Sequence, residues 1–492
     1  MRYWKIRSAL LFFSIVCIGG CRPDGDVGTI AVNQAAIPTS EPGQYEEIHT
    51  PTAVAQPPAP TIPETPLSTD GPWLVFTASD GIYAVNPDGS GPSHLLEVEL
   101  ADSYRSSLRT SKEGGLAAFV TQGVREYDRD LTIFSLPERR LVRTINLTQA
   151  LPDLPEGPVF NDSAQAANAL SYYSPFDISP DGSQVAFMGV IEGPSSDLYV
   201  YDLQSDTITR LTDGPAQGFD PHFSPDGEYI VHFSAASFGS GAGYSMDGVW
   251  AARADNGGVL SLYDPSGYGA EEFVGWVDDT TFLVNTWNAD CGSVNLRAFN
   301  IVTGEVQIFW RHTFNDVAFD NANGTLAVAV EIDYEHCNPE GQFGVFLLPL
   351  DGSTPVQVFD EPTGFLAHHE ADTDIILMTD FMSPAEVLHD GSLLSLNPSP
   401  VAYGYPVLSP DGFWAAWPGT ALWIGRRDAA GELPPSLVLP QGIQTVVWSP
   451  DSRAVFLIAD EEIFVAHTPE FSPIPVVEHL DLRRTSFAWI LP

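Results

Sequence analysis

The stretch FDISPDGSQVAF, Phe176 to Phe187, constrains the fold more than any other part of the chain. Two short apolar strands, one ending near Ile178 and one running from Val185 to Phe187, flank the tetrapeptide Ser179-Pro180-Asp181-Gly182. Proline at its second position presets φ, serine at the first can hydrogen-bond its own backbone, and glycine at the fourth accepts a positive φ without a Cβ clash. The chain must reverse there, and the strands must pair. The same words return as FDPHFSPDGEYIVHF from Phe219, YPVLSPDGFWAAW from Tyr405 and TVVWSPDSRAVFLI from Thr445. An internal repeat of hairpins, each too small to be stable alone, therefore governs the fold.

Each repeat reads as four short strands, a to d. Successive b-strands are spaced by about 35 to 60 residues, the period of propeller blades. Nine candidate b-strands lie at Trp73, Leu116, Val185, Tyr229, Phe282, Leu326, Ile375, Trp414 and Val455. Because most propellers have about four to eight blades, the expectation is an all-β chain forming one large propeller of eight blades, within a range of seven to nine. The weak unit from Phe365 is the one expected to be irregular. The first unit begins at its b-strand with no a-strand before it, and Thr485 to Ile490 reads like a spare a-strand. A C-terminal strand completing the first blade would close the ring and remove its free sheet edges.

At these residues the chain resembles the WD40-like PD40 repeats of the TolB-type propeller superfamily, also found in the propellers of prolyl-oligopeptidase-like enzymes. The resemblance runs from about Trp73 to Pro492 and rests on three SPDG turns, one SPDS turn and their flanking strands. It implies the fold far more than a role, since one blade design serves many functions. TolB-type proteins carry an α/β domain before a six-bladed ring, whereas this sequence has a lipobox-like leader and a larger ring, which argues against a Tol–Pal role.

Arg2, Lys5 and Arg7 form a basic region, and Ala9 to Ile18 is an apolar stretch too short to span a bilayer. It ends in Ile18-Gly19-Gly20-Cys21, which resembles a bacterial lipobox. The resemblance implies that residues 1–20 are a lipoprotein signal peptide and that Cys21 becomes a lipidated N-terminus; the alternative is an ordinary secretory signal with a chance cysteine. Residues 21–70 are rich in proline with no apolar period, a disordered tether with a reach of roughly 35–45 Å if flexible. Residues 71–492 form the propeller. The expected location is extracytoplasmic, lipid-anchored to a bacterial cell membrane or outer membrane; Arg22 stands where an inner-membrane retention aspartate would be.

The formal charge of −43, with Lys5 and Lys112 the only lysines, opposes binding to nucleic acid. A monomer is expected, its membrane contact made through the N-terminal lipid. Cys291 and Cys337 fall in b–c loops of adjacent blades, on one face of the ring, and an oxidising compartment favours a disulfide between them over free thiols or metal ligation. That face also collects the longest insertions, Ala150 to Ser174 and Ala235 to Asp247 among them. Tyr172, Tyr173, Phe238, Tyr244, Trp287 and Tyr334 are its candidate binding residues, set against the simpler role of packing over a neighbouring blade.

His368-His369-Glu370 with Asp372 and Asp374 is a poor metal site, because consecutive strand residues point to opposite sides. Asp320 to Gly324 imitates a calcium loop but has Ala322 where an oxygen ligand is needed. No metal or cofactor is expected. No G-x-S-x-G elbow occurs, the turns are not sialidase Asp-boxes, and no catalytic residue can be singled out. The leading expectation is a binding scaffold for a protein, peptide or glycan on the loop-rich face. The alternatives are a propeller-type enzyme, a lyase or glycosidase, and a TolB-like envelope assembly factor.

Overall fold

The four SPDG-type turns form as their chemistry dictates. In the computed structural model Gly182 N donates to Ser179 O at 2.9 Å, and Ser179 Oγ both donates to Asp181 Oδ1 at 2.7 Å and accepts from Gln184 N at 2.9 Å. Ser224, Ser409 and Ser449 repeat the arrangement. The fourth position has φ of 71° at Gly182, and Ser452 adopts 60° in the SPDS copy, a left-handed conformation that glycine takes more readily. The structure describes residues 65–491 except 99, 101–107, 114, 126–127, 153–161, 239–243, 256–257, 264–269, 289–290, 321–323, 331–341, 370–373, 379–384, 390–391, 396–406, 418–421, 427–435, 438–442, 444, 460 and 483–484.

Each turn joins strands a and b of a four-stranded antiparallel sheet, and among the described residues nine such sheets follow one another. Blade 1 comprises residues 73–97 with Phe487–Ile490; blades 2 to 9 cover 109–146, 176–210, 217–263, 270–314, 316–359, 365–395, 407–437 and 445–478. Nine lies at the upper limit of the expected range, one above the preferred eight. The unit from Phe365, expected to be irregular, has its own complete set of four strands.

Neighbouring blades share their cores. Blades 1 and 2 meet through Val75, Phe119 and Phe134, blades 4 and 5 through Phe233, Val249 and Phe282, blades 5 and 6 through Leu283, Leu296 and Val328. Phe456 and Ile458 of blade 9 pack with Leu74 and Phe76 of blade 1. The ring closes there: Phe487–Ile490 pairs antiparallel with Trp73–Ala78, from Trp73 opposite Ile490 to Phe76 opposite Phe487. The Trp489 indole also donates to Trp448 O at 2.7 Å, which ties the closing strand to blade 9.

Two elements differ from the expectation. Part of the Ala150 to Ser174 insertion is an α-helix, Asp162–Tyr172. Its sequence DSAQAANALSY is rich in alanine, the best helix former, with an aspartate at the positive N-terminal end. It lies in the connection from blade 2 to blade 3, yet Ala169 packs with Phe219 and Phe233 of blade 4. Described residues before 71 also pack against the ring. Leu67 is 6% exposed in the core of blades 1 and 2, Asn86 Nδ2 donates to Pro66 O, and Arg139 donates to Leu67 O. Those clamps sit on the c–d turns, so the chain enters the ring from the face of the SPDG turns, opposite the face of the helix and the b–c turns.

Deleting residues 487–492 exposes the edge of Trp73–Ala78 and uncovers Phe76. The truncated chain is expected to lose the single cooperative urea transition of the full chain, since two adjoining sheets lose their common cover. A transition of unchanged midpoint and slope would argue against closure by this strand.

Candidate functional site

Tyr173, Phe238 and Tyr244 come together on the helix-bearing face. The Phe219 ring of blade 4 is the hub, stacked on Tyr173 with centroids 5.3 Å apart and edge-on to Tyr244 at 4.8 Å and Phe238 at 5.4 Å. The Tyr173 and Tyr244 hydroxyls lie 3.1 Å apart, Tyr173 Oη donates to Glu272 Oε1 at 3.4 Å, and Tyr244 Oη donates to Glu271 O at 3.2 Å. The tyrosines thus join the end of the helix to the b–c turn of blade 4 and the a-strand of blade 5. Burial pushes the Tyr173 hydroxyl well above the ordinary tyrosine range, and neighbouring Tyr244, Glu272 and Asp220 push it the same way.

Beneath them lies a polar group on the inner strands. Blade 3 reads Phe-Asp-Ile before its SPDG serine, whereas blade 4 reads Phe219-Asp220-Pro221-His222-Phe223, two residues more. The surplus is taken up as a register shift between Phe219 and His222, with Asp220 at a φ of 52° immediately before a proline. That conformation is disfavoured for a non-glycine residue and again for one preceding proline, and such strain clusters at functional positions. It places the His222 Nε2 3.0 Å from Asp220 Oδ2 and stacks the imidazole on Phe273 of blade 5, centroids 3.9 Å apart.

Glu271, 3% exposed, pairs with Arg297, which also donates to Thr286 Oγ1 at 2.8 Å. Burial raises the Glu271 pKa above its ordinary value despite the pull of Arg297. Next to it, Glu272 stands cross-strand from Asn285, which is 1% exposed. Two tyrosine hydroxyls, the carboxylates of Asp220 and Glu272, and an imidazole can between them accept hydrogen bonds, hold a cation or move a proton.

Phe238 is 3% exposed and serves the packing, while Trp287, at the end of the blade 5 b-strand, is 45% exposed. Tyr172 ends the helix, and its side chain is outside the described residues, as is all of Tyr334. Cys291 lies in the b–c turn of blade 5 and is disulfide-bonded; Cys337 lies outside the described residues. So do Glu370 and Asp372 and the side chains of His368 and His369. Cys21 and the leader also lie outside them. Among the described residues no group of three or more His, Cys, Asp or Glu is arranged to hold a metal ion, and no helix is long and apolar enough to cross a membrane. Asp220, His222, Glu272 and Asn285 were not singled out from sequence. The signal for the first two was the pair of surplus residues before Ser224.

Fold and closure define a β-propeller. No protein-family profile matches the chain. The uncharacterized protein Atu1656 of Agrobacterium fabrum is 34% identical over 202 residues, 41% of this chain and 58% of that protein, so the chain spans little more than half the length of the curated relative it matches. Among solved structures, a crystal structure of the eukaryotic initiation factor superposes with a TM-score of 0.53 at 13% identity, covering 85% of this chain and 98% of that one. This likeness speaks to fold alone. TolB from Acinetobacter baumannii matches with a TM-score of 0.31 at 14% identity, over 57% of this chain and 62% of that one.

Two outcomes follow from buried charge. Removing Arg297 leaves Glu271 buried without its partner, so Arg297→Met is expected to cost about 3–5 kcal/mol in urea unfolding, most of it recovered in Glu271→Leu/Arg297→Met. A single-variant loss below about 1 kcal/mol would contradict this. His232, on the blade 4 b-strand, is 4% exposed, and burial lowers its pKa from 6.5 to about 3. Folding therefore excludes a proton that the unfolded chain binds below pH 6.5, and stability falls as pH drops from 6.5 towards 3, by at most about 1.4 kcal/mol per unit from this group. Between pH 6.5 and 5 the unfolding free energy of His232→Phe should fall less steeply than that of the natural chain. Parallel slopes would show that His232 does not carry the effect.

Proposed function

We propose that this protein is a lipid-anchored, extracytoplasmic β-propeller that binds a protein, peptide or glycan on its helix-bearing face. The observation that carries the reading is the meeting of Tyr173 and Tyr244 with Glu272 of the blade 5 a-strand, close to the Asp220 and His222 pair on the a-strand of blade 4, while Trp287 is exposed at the end of the blade 5 b-strand. Propeller blades are committed to packing, so a strained acid beside an imidazole, close to a tyrosine that follows a helix inserted between two other blades, is poorly explained by stability alone. The leader supports the anchor: a basic start, a short apolar run and Ile18-Gly19-Gly20-Cys21. The Cys291 bond fits an oxidising compartment, with Cys337 as its proposed partner.

A second reading, an enzyme working by proton transfer such as a lyase or glycosidase, is favoured by one feature. His222 next to Asp220 is a pairing that can hold an imidazole in the orientation a general base needs.

The test is a glycan and peptide array probed with the natural chain and with Tyr173→Phe/Tyr244→Phe/Trp287→Ala. The variant keeps the rings that pack, so it should unfold within about 1 kcal/mol of the natural chain while binding at least about tenfold more weakly. Retained binding would place the ligand elsewhere. In a bacterial host Cys21→Ser should move the protein from the membrane fraction to the soluble extracytoplasmic one; a variant that stays on the membrane would contradict lipidation at that residue.

A further inference from the structure

The inner rim of blade 5 narrows that reading to a chemical class. Glu272 and Asn285 are opposite one another in the antiparallel pair Ala270–Trp276 and Thr281–Asn288, so their side chains leave the same face of the blade. Trp287, opposite Ala270 in the same pairing, shares that face nearer the surface. Asn285 Nδ2 donates to Ser293 Oγ at 2.9 Å, but Asn285 Oδ1 is buried with no hydrogen-bond partner. Buried amide oxygens are nearly always satisfied, so an unsatisfied one beside a carboxylate points to a donor that comes from outside the chain.

Both unsatisfied capacity and charge have one sign here. Asn285 Oδ1 and the Glu272 carboxylate can only accept, and Glu272 has a long bond from Tyr173 at 3.4 Å. A hydroxyl offers both a donor and lone pairs, whereas an ammonium offers three donors and nothing that needs a donor in return. The chain as a whole carries −43 formal charges, and its only lysines are Lys5 and Lys112, so its field concentrates cations. One carboxylate and one neutral amide oxygen are far fewer ligands than a hard metal cation takes, and they suit an organic cation.

We infer that the face beneath Trp287 receives a protonated alkyl amine of the kind a lysine side chain carries. Its ammonium donates to Glu272 and Asn285 Oδ1, and the Trp287 indole lies against its stem or charge. The inference rests on the proposed binding face and specifies the group that face recognises.

The test is isothermal titration of the full chain at physiological salt with N-acetyl-lysine methylamide and with its uncharged norleucine counterpart, which has the stem without the ammonium. The lysine derivative is expected to bind at least about tenfold more tightly than the norleucine one, the scale of one charge-assisted hydrogen bond. Glu272→Gln and Asn285→Leu should each weaken it about as much, and Glu305→Gln, on the opposite face, should not. Equal affinity for the two derivatives, or no effect of Glu272→Gln, would overturn the inference. If the lysine derivative fails while a neutral oligosaccharide or acetylated peptide binds and Trp287→Ala abolishes it, the binding face stands and the ammonium preference falls. If no probe binds, both fall.

Discussion

Ring closure is the constraint on which the remainder of this structure depends. A four-stranded blade has two apolar faces and can cover neither, so every blade is stable only between two others. Phe76 is the clearest instance: wholly buried, it stacks on Tyr83 of its own blade and on Phe487 of the closing strand, and packs with Phe456 of blade 9. Residues more than 400 positions apart in sequence thus share one core. The SPDG turns set each hairpin's register, and contacts such as Glu113 N to Pro180 O and Asp411 N to Ser452 Oγ bind one turn to the next along the same face.

The face opposite those turns is freed from that duty and is built differently. A helix inserted between blades 2 and 3 reaches across to blade 4, and Tyr173 at its end joins Phe219, Tyr244 and Glu272. Asp220 is held in a left-handed conformation before proline, against its local preference. The packing of Phe219 and the stacking of His222 on Phe273 over-determine that stretch, so the surrounding blades can bear the strain. One face is built from repeated turns, and the other carries the inserted helix and the cluster of tyrosines and carboxylates.

Whatever was local in the sequence was legible. Proline, aspartate and glycine at fixed offsets announced the turns, alternating apolar residues announced the strands, and the Phe-Ala-Trp-Ile tail was readable as a displaced a-strand because it looked like Thr445 to Trp448. The number of blades was less so: the unit from Phe365 lacks the SPDG turn, and a hairpin without its turn signature is recognised only by its neighbours. The helix was hidden because eleven alanine-rich residues within a long connection have no repeat to be compared with. Of the candidate site, the aromatic half was legible from insertions on one face. The polar half was not, since Asp220 and His222 occupy a bulge and Glu272 faces Asn285 only through pairing across thirteen residues. Leu67 reads as part of a proline-rich tether, and only the pocket supplied by blades 1 and 2 makes it core.

Native-state hydrogen exchange addresses ring closure most directly. If nine blades are stabilised as one closed unit, the backbone amides of Phe487–Ile490 and of Trp73–Ala78 exchange with the same opening free energy as those of the interior strands of blade 5. If instead the first and last strands exchange several kcal/mol more easily than blade 5, as an end that opens by itself would, the ring is not held shut by that pairing and the account fails.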